Sequence, residues 1–289
     1  MPEGNVLFIN HIRERCGVSQ YGSRLARSIR GSKKYNLIYA AIDDRASFDH
    51  LVSKFQPVCV IYNYYPGTTG VVSWPQLDSN RKNFPQVALR HDPVVTGFDY
   101  YIYNDPTLGR EREFYEFYKH NIEVGEFEQA FLSGPDYFKL GRPIPYITND
   151  FPLPEIPTIG TFGFVGGGKM YGHLVTRINR DFDEAIINVR ITPGHFGDHD
   201  GIGAREVGES LKDFITKPGI ELNVSYNFLS ERELLESLAK NTINAFYYNH
   251  RYGYGISSSV DYALAVQRPV AITKSHMFRH LWPGTPEIC

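Results

Sequence analysis

The sequence predicts an α/β protein of two domains, each built on a parallel β-sheet covered by helices. Three observations point there. Short apolar strands alternate with helical patterns along nearly the whole chain. Its 289 residues exceed the roughly 100 to 200 of a usual single domain. The stretch "FPLPEIPT", residues 151–158, places three prolines in eight positions, a composition that resists helix and favours an extended connector. The expected division is therefore residues 1–150, a connector at 151–158, and residues 159–289.

In chain order, the first domain has expected strands at 6–10, 36–42, 58–64, 86–90, 100–103 and 143–147. Between the first two, Val18, Tyr21, Leu25 and Ile29 recur at helical spacing, with Arg24, Arg27 and Arg30 on other faces, which makes a βαβ opening. After the connector, residues 160–165 read as a strand, followed by "GGGK" and a helix with Tyr171, Leu174, Val175 and Ile178 on one face. Further strands are expected at 185–191, 220–225, 243–248 and 269–273. Ser230 and Glu233 form a capping-box pattern, and Leu229 and Leu234 stand at the staple positions of a helix running through Leu238. Ligands of such sheets bind beyond the carboxyl ends of the strands, so a cleft between the two domains is the expected site.

Composition narrows the function. A formal net charge of -2 supplies no global positive field for nucleic acid or an anionic membrane. Cys16, Cys59 and Cys289 lack the paired spacing of a zinc site or a disulfide framework, which fits a reducing compartment. The start "MPEGNVLFIN" has no basic region leading into an apolar core, and no stretch approaches the ~18 apolar residues that cross a bilayer. The expectation is a cytoplasmic protein, with any membrane association peripheral, at the inner face and through its partners.

Two segments carry the clearest signals. In "FGFVGGGKMYG", residues 162–172, glycines let the backbone approach a ligand, and the following helix start offers N–H donors and a positive dipole end to an anion. Gly168 and Lys169 would contribute close approach and a point charge. A plain glycine turn in a βα unit is the alternative. In "YGYGISSSVDYALAVQRPVAI", Val260, Ala263 and Leu264 mark one face of a short helix ending before Pro269. Ser257, Ser258 and Ser259 then surround its start, where hydroxyls either cap the helix or hold phosphate. His91, at a strand's carboxyl end in "RHD", reads as a ligand contact or a surface-loop histidine. Asn10 and His11 are weaker candidates, with His11 structural or exposed. "TPGHFGDHDG" offers His195, Asp198, His199 and Asp200 as metal ligands, but a glycine-containing loop does not secure their convergence, and no metal is expected. Tyrosines in "VIYNYYP" and "NAFYYNHRYGYG" suit strand cores, cleft rims, or a base or sugar stack.

Taken in order, "CGVSQYGSRLA", "IGTFGFVGGGK" and "GYGISSSVDYALAVQRPVAIT" resemble retaining glycosyltransferases of the GT-B fold, of the bacterial polysaccharide and lipopolysaccharide type. The resemblance touches both domains. It implies two Rossmann-like domains facing a cleft, a nucleotide-sugar donor, a carbohydrate or glycoconjugate acceptor, and no cofactor. Carried over residue by residue, Gly17 matches the cleft-facing glycine, Lys169 the diphosphate lysine, and Gly253, Gly255 and Ser257 to Ser259 the donor loop. His91 matches the histidine facing acceptor and transferred sugar, and Asp261 would hold the ribose. The family's paired acids, eight apart, are altered: Asp261 is displaced by one from the usual glutamate, which aligns with Tyr262. Eight before Asp261 stands Gly253, so Tyr252 or Asn249 would contact the donor there. Only sixteen residues follow the last expected strand, where the family adds a strand and helices, so a fragment with an incomplete second domain is expected. Two other functions share these features: a non-catalytic sugar-nucleotide-binding subunit, and an epimerase of the same shape.

Overall fold

The computed structural model describes residues 2–65, 83–91, 100–103, 137–166, 168–250 and 255–282. The chain divides into two compact units, Met1–Pro143 with Tyr252–Ile256, and Ile144–Arg251 with Ser257–Cys289.

In the first unit, strands β1 (Asn5–Asn10), β2 (Asn36–Ala41), β3 (Cys59–Tyr64), β4 (Gln86–Arg90), β5 (Tyr100–Tyr103) and β6 (Tyr137–Lys139) form one sheet in the order β2-β1-β3-β4-β5-β6. Every pairing is parallel. Such a sheet is buried on both faces, and β1 shows why the residues between its terminal asparagines are all apolar. Leu7 and Ile9 pack with Val60, Tyr62 and Phe48, the last from helix α2 (Arg45–Phe55). Phe8, on the opposite face, packs with Tyr21, Leu25 and Ala26 of helix α1 (Gly17–Ile29). Arg24, on another face of α1 than the apolar residues, is nevertheless buried, with its guanidinium over the Tyr21 ring. The expected strand at 143–147 is absent, and β6 is the sixth strand instead. Pro143 and Pro145 have no N–H for a ladder, and Tyr146 is 83% exposed.

The second unit contains β7 (Thr158–Phe164), β8 (Ala185–Thr192), β9 (Ile220–Ser225), β10 (Ile243–Phe246) and β11 (Val270–Ile272), ordered β11-β10-β7-β8-β9 and parallel throughout. Its helices are α3 (Tyr171–Asp181), α4 (Ile202–Ser210), α5 (Glu231–Ala239) and α6 (Ser259–Ala265). Tyr171, Leu174, Val175 and Ile178 of α3 all enter the core, as their spacing predicts. The box at α5 is complete: the Ser230 hydroxyl accepts from the Glu233 N–H, and the Glu233 carboxylate accepts from the Ser230 N–H. In α6, Val260 and Ala263 are buried but Leu264 is 40% exposed, and Asp261 and Tyr262 turn inward instead. Residues of the proline-rich approach lie along this unit. Ile147 and Phe151 pack against α5 and α6, the Asn149 amide donates to Val266 O, and Arg268 donates to Phe151 O and Ala239 O.

A relay of amides crosses this sheet. Asn223 donates to Asn188, Asn188 to Asn241, Asn241 to Asn244, and Asn244 to Leu238 O. The relay passes over Gly160 of β7, where a Cβ would sit 1.9 Å from Asn241 Nδ2 and 2.7 Å from Asn244 Oδ1. Gly160→Ala must therefore overpack the sheet and break buried amide bonds, and should cost about 2 kcal/mol or more in urea unfolding. At Gly17 a Cβ would meet nothing within 4 Å, so Gly17→Ala should leave the unfolding midpoint nearly unchanged.

Candidate functional site

In an open parallel sheet the chain departs to opposite sides at the strands where the order reverses, leaving a crevice at their carboxyl ends. In the second unit those strands are β7 and β10. Lys169 follows β7 and forms an isolated bridge with Tyr248, just past β10. The two segments are joined by Met170 N–H donating to Tyr247 O at 2.7 Å and Asn249 N–H donating to Gly168 O at 2.9 Å. Gly166 and Gly168 adopt φ of +89° and +77°, left-handed values that favour glycine, and so turn the chain back towards β10. The Lys169 stem crosses Gly163, where a Cβ would lie 2.6 Å from Cε. Its ammonium donates to Gly166 O at 3.3 Å and sits 5.5 Å from the Tyr248 ring centroid. Loss of solvent pushes its pKa down to about 8.

Tyr248 also joins this lysine to the serines. Its hydroxyl lies 3.2 Å from Ser259 Oγ and accepts from Ser257 Oγ at 3.4 Å. Ser257 further accepts from the Ser259 N–H at 3.4 Å, while Ser258, the N-cap of α6, makes no side-chain cap bond. One serine thus serves the turn locally, and two hydroxyls converge on Tyr248. Lys169, Tyr248, Ser257 and Ser259 form one cationic, hydroxyl-rich cluster, which only Tyr248 could not be assigned to from sequence. Gly255 lies just ahead of it, and Gly253 lies outside the described residues. Asp261 is wholly buried in the first turn of α6. A ribose would reach its carboxylate only after a rearrangement of that turn.

The first unit carries a second cluster, again where the strand order reverses, at β1 and β3. Asn10 ends β1, Asn63 nearly ends β3, and His91 follows β4. Asn63 Nδ2 donates to Asn10 Oδ1 and to Val18 O, each at 2.8 Å, and Asn63 Oδ1 lies 2.6 Å from His91 Nε2. Gly22 makes room, since a Cβ there would stand 2.3 Å from Asn63 Nδ2. His91 meets the edge of Tyr21 at 5.3 Å, and Arg142 lies over the same ring. Burial, then the charge of Arg142 and His11, pushes the His91 pKa down to about 3. His11 is structural: it is buried, and its Nδ1 accepts from the Arg13 N–H. Gly17 opens α1 beside this cluster in sequence and is exposed. Asn63 is the residue that sequence reading missed; its signal is an amide inside the apolar strand "VIYNYYP".

Asp198 caps a helix. Its two carboxylate oxygens accept from the Gly203 and Ala204 N–H groups at the start of α4. Among the described residues no group of three or more His, Cys, Asp or Glu could hold a metal ion, and no helix is long and apolar enough to cross a membrane. A groove of about 470 Å³ runs along β7 to β9 beside α5, lined by Asn188, Arg190, Asn223, Glu233 and Asn241 among others. It includes none of the candidate catalytic or donor-binding residues read from the sequence.

No protein-family model matches the chain, and no curated protein does. Solved structures do. An α-glucosyltransferase in complex with UDP and a 13-mer DNA containing a HMU base is similar with a TM-score of 0.62 at 11% identity, over 94% of this chain and 80% of that one. Anabaena HepE in complex with UDP and glucose gives 0.59 at 11% identity, over 96% and 83%. A trehalose-6-phosphate synthase gives 0.59 at 8% identity, over 97% and 86%. What is shared at these identities is the fold: this chain has the α/β architecture of GT-B glycosyltransferases, with two Rossmann-like units.

The environment of Lys169 has a measurable consequence. Between pH 8 and its unfolded value near 10.5, the native lysine is neutral while the unfolded one still binds its proton. Wild-type stability should therefore rise across that window relative to Lys169→Met, as read by urea unfolding at pH 7.5 and 9.5. No difference in slope between the two proteins would place this ammonium in water.

Proposed function

We propose that this chain is a glycosyltransferase that moves a sugar from a nucleotide-sugar donor to a carbohydrate or glycoconjugate acceptor, with retention at the anomeric carbon. The observation that carries the reading is the Lys169–Tyr248–Ser257–Ser259 cluster at the β7/β10 switch point. A departing nucleoside diphosphate gathers negative charge, and a preorganised cation with hydroxyl donors stabilises that charge where it develops. Solvent loss strengthens this contact, because the ammonium faces a medium of low dielectric. Similar structures solved with UDP support a uridine diphosphate donor. In this reading Asp261 holds the ribose once the first turn of α6 has rearranged, His91 contacts the sugar, and the reaction uses no cofactor besides the donor.

A second reading has its own support. Asp261 is buried and glycine occupies the place of the first acid, which suits a sugar-nucleotide-binding subunit that does not turn over. Acceptor-dependent release of UDP separates the two: release that needs an acceptor marks a transferase, release without one marks an epimerase, and tight binding without release marks a binding subunit.

Lys169→Ala should weaken UDP binding by about 1.5 to 3 kcal/mol, the value of a charge-assisted contact, in calorimetry at pH 7. Above pH 8 wild-type binding should weaken as the ammonium deprotonates, and it should be accompanied by proton uptake. Unchanged affinity in a folded Lys169→Ala variant would remove the lysine from the site.

A further inference from the structure

The amides at the β1/β3 switch point have a fixed direction. Asn10 Nδ2 donates to Ser19 O at 2.9 Å, and Asn63 Nδ2 donates to Val18 O at 2.8 Å. A backbone carbonyl can only accept, so each of these atoms must be the NH₂ end of its amide. Both carbonyls belong to the first turn of α1. Asn10 Oδ1 then faces Asn63 Nδ2 and the His11 N–H as an acceptor. It follows that the Asn63 atom 2.6 Å from His91 Nε2 is an oxygen, which requires the imidazole to carry its proton on Nε2.

We propose that Asn63 is a positioning residue for His91: its oriented amide oxygen takes the Nε2–H bond and holds the imidazole in one neutral tautomer, with Nδ1 as the hydrogen-bond acceptor. The depressed pKa of His91 agrees with a ring that stays neutral at physiological pH. Such a ring receives a hydroxyl proton in a hydrogen bond and does not act as a general acid. Resting on the glycosyltransferase reading, the ring held in this state is the one that meets the sugar. The orientation is transmitted from α1, because the helix carbonyls set both amides and Gly22 leaves the space in which Asn63 lies.

The test is long-range ¹H–¹⁵N spectroscopy of the ¹⁵N-labelled full chain, with the His91 ring assigned by its loss in His91→Gln. The expected spectrum shows Nε2 protonated and Nδ1 unprotonated, unchanged from pH 5 to 8, where an ordinary histidine titrates. Asn63→Ala should give mixed tautomers. Asn63→Asp should raise the pKa of the ring, because a carboxylate accepts the same bond and adds a negative charge, and should cost stability, because its second oxygen meets the acceptors Asn10 Oδ1 and Val18 O. A wild-type ring protonated on Nδ1, or charged at pH 7, would overturn the proposal, as would a folded Asn63→Ala variant with an unaltered tautomer. If neither variant folds, the wild-type spectrum decides. UDP-glucose is then added, and on binding the Nε2–H tautomer should stay as it is. The predicted tautomer without any UDP-glucose binding would support the positioning role and count against the transferase reading. Binding with the reversed tautomer would do the opposite.

Discussion

The structure depends on one constraint of parallel sheets: two neighbouring strands that send the chain to opposite sides leave their carboxyl ends uncovered. Each unit has one such place, β1 beside β3 and β7 beside β10. Strands buried on both faces are mostly apolar, and the polar side chains of the two candidate clusters gather at or just past the strands' carboxyl ends. Asn10, Asn63 and His91 stand there in the first unit, and Lys169 and Tyr248 in the second. Glycines follow the same logic. Gly22 and Gly163 are places where a side chain from the crevice presses against backbone.

The two clusters solve different electrostatic problems. The second-unit cluster keeps a cation in a partly dehydrated place, where its preference for a counter-anion is strong because the charged form is already disfavoured. The first-unit cluster excludes charge. Its amides donate and accept in a fixed direction, and the histidine at the end of the chain of bonds is held neutral.

Much of the architecture was legible because it rests on local periodicity. Strands at 86–90 and 220–225, the α3 face and the α5 capping box agree with their patterns, since spacing and caps act over a few residues. The failures were also physical. The apolar content of residues 143–147 suggested a strand, but two prolines withhold the ladder donors. In α6 the helical spacing chose Leu264, whereas packing against Leu235 and Val266 drew Tyr262 inward instead.

For the sites, the sequence alone determined which residues could do chemistry: Lys169 behind its glycines, the serines before α6, and His91 at a strand end. Each stands out because its immediate neighbours prescribe a turn or a terminus. Only the tertiary structure decided their partners. Tyr248 joins Lys169 to Ser257 and Ser259 because β10 lies beside β7, a pairing between segments about eighty residues apart in sequence. Asn63 governs His91 because β3 lies between β1 and β4, and α1 supplies the carbonyls that orient the amide. Neither link leaves a trace in local spacing, because strand order is set by how the helices cover the whole sheet.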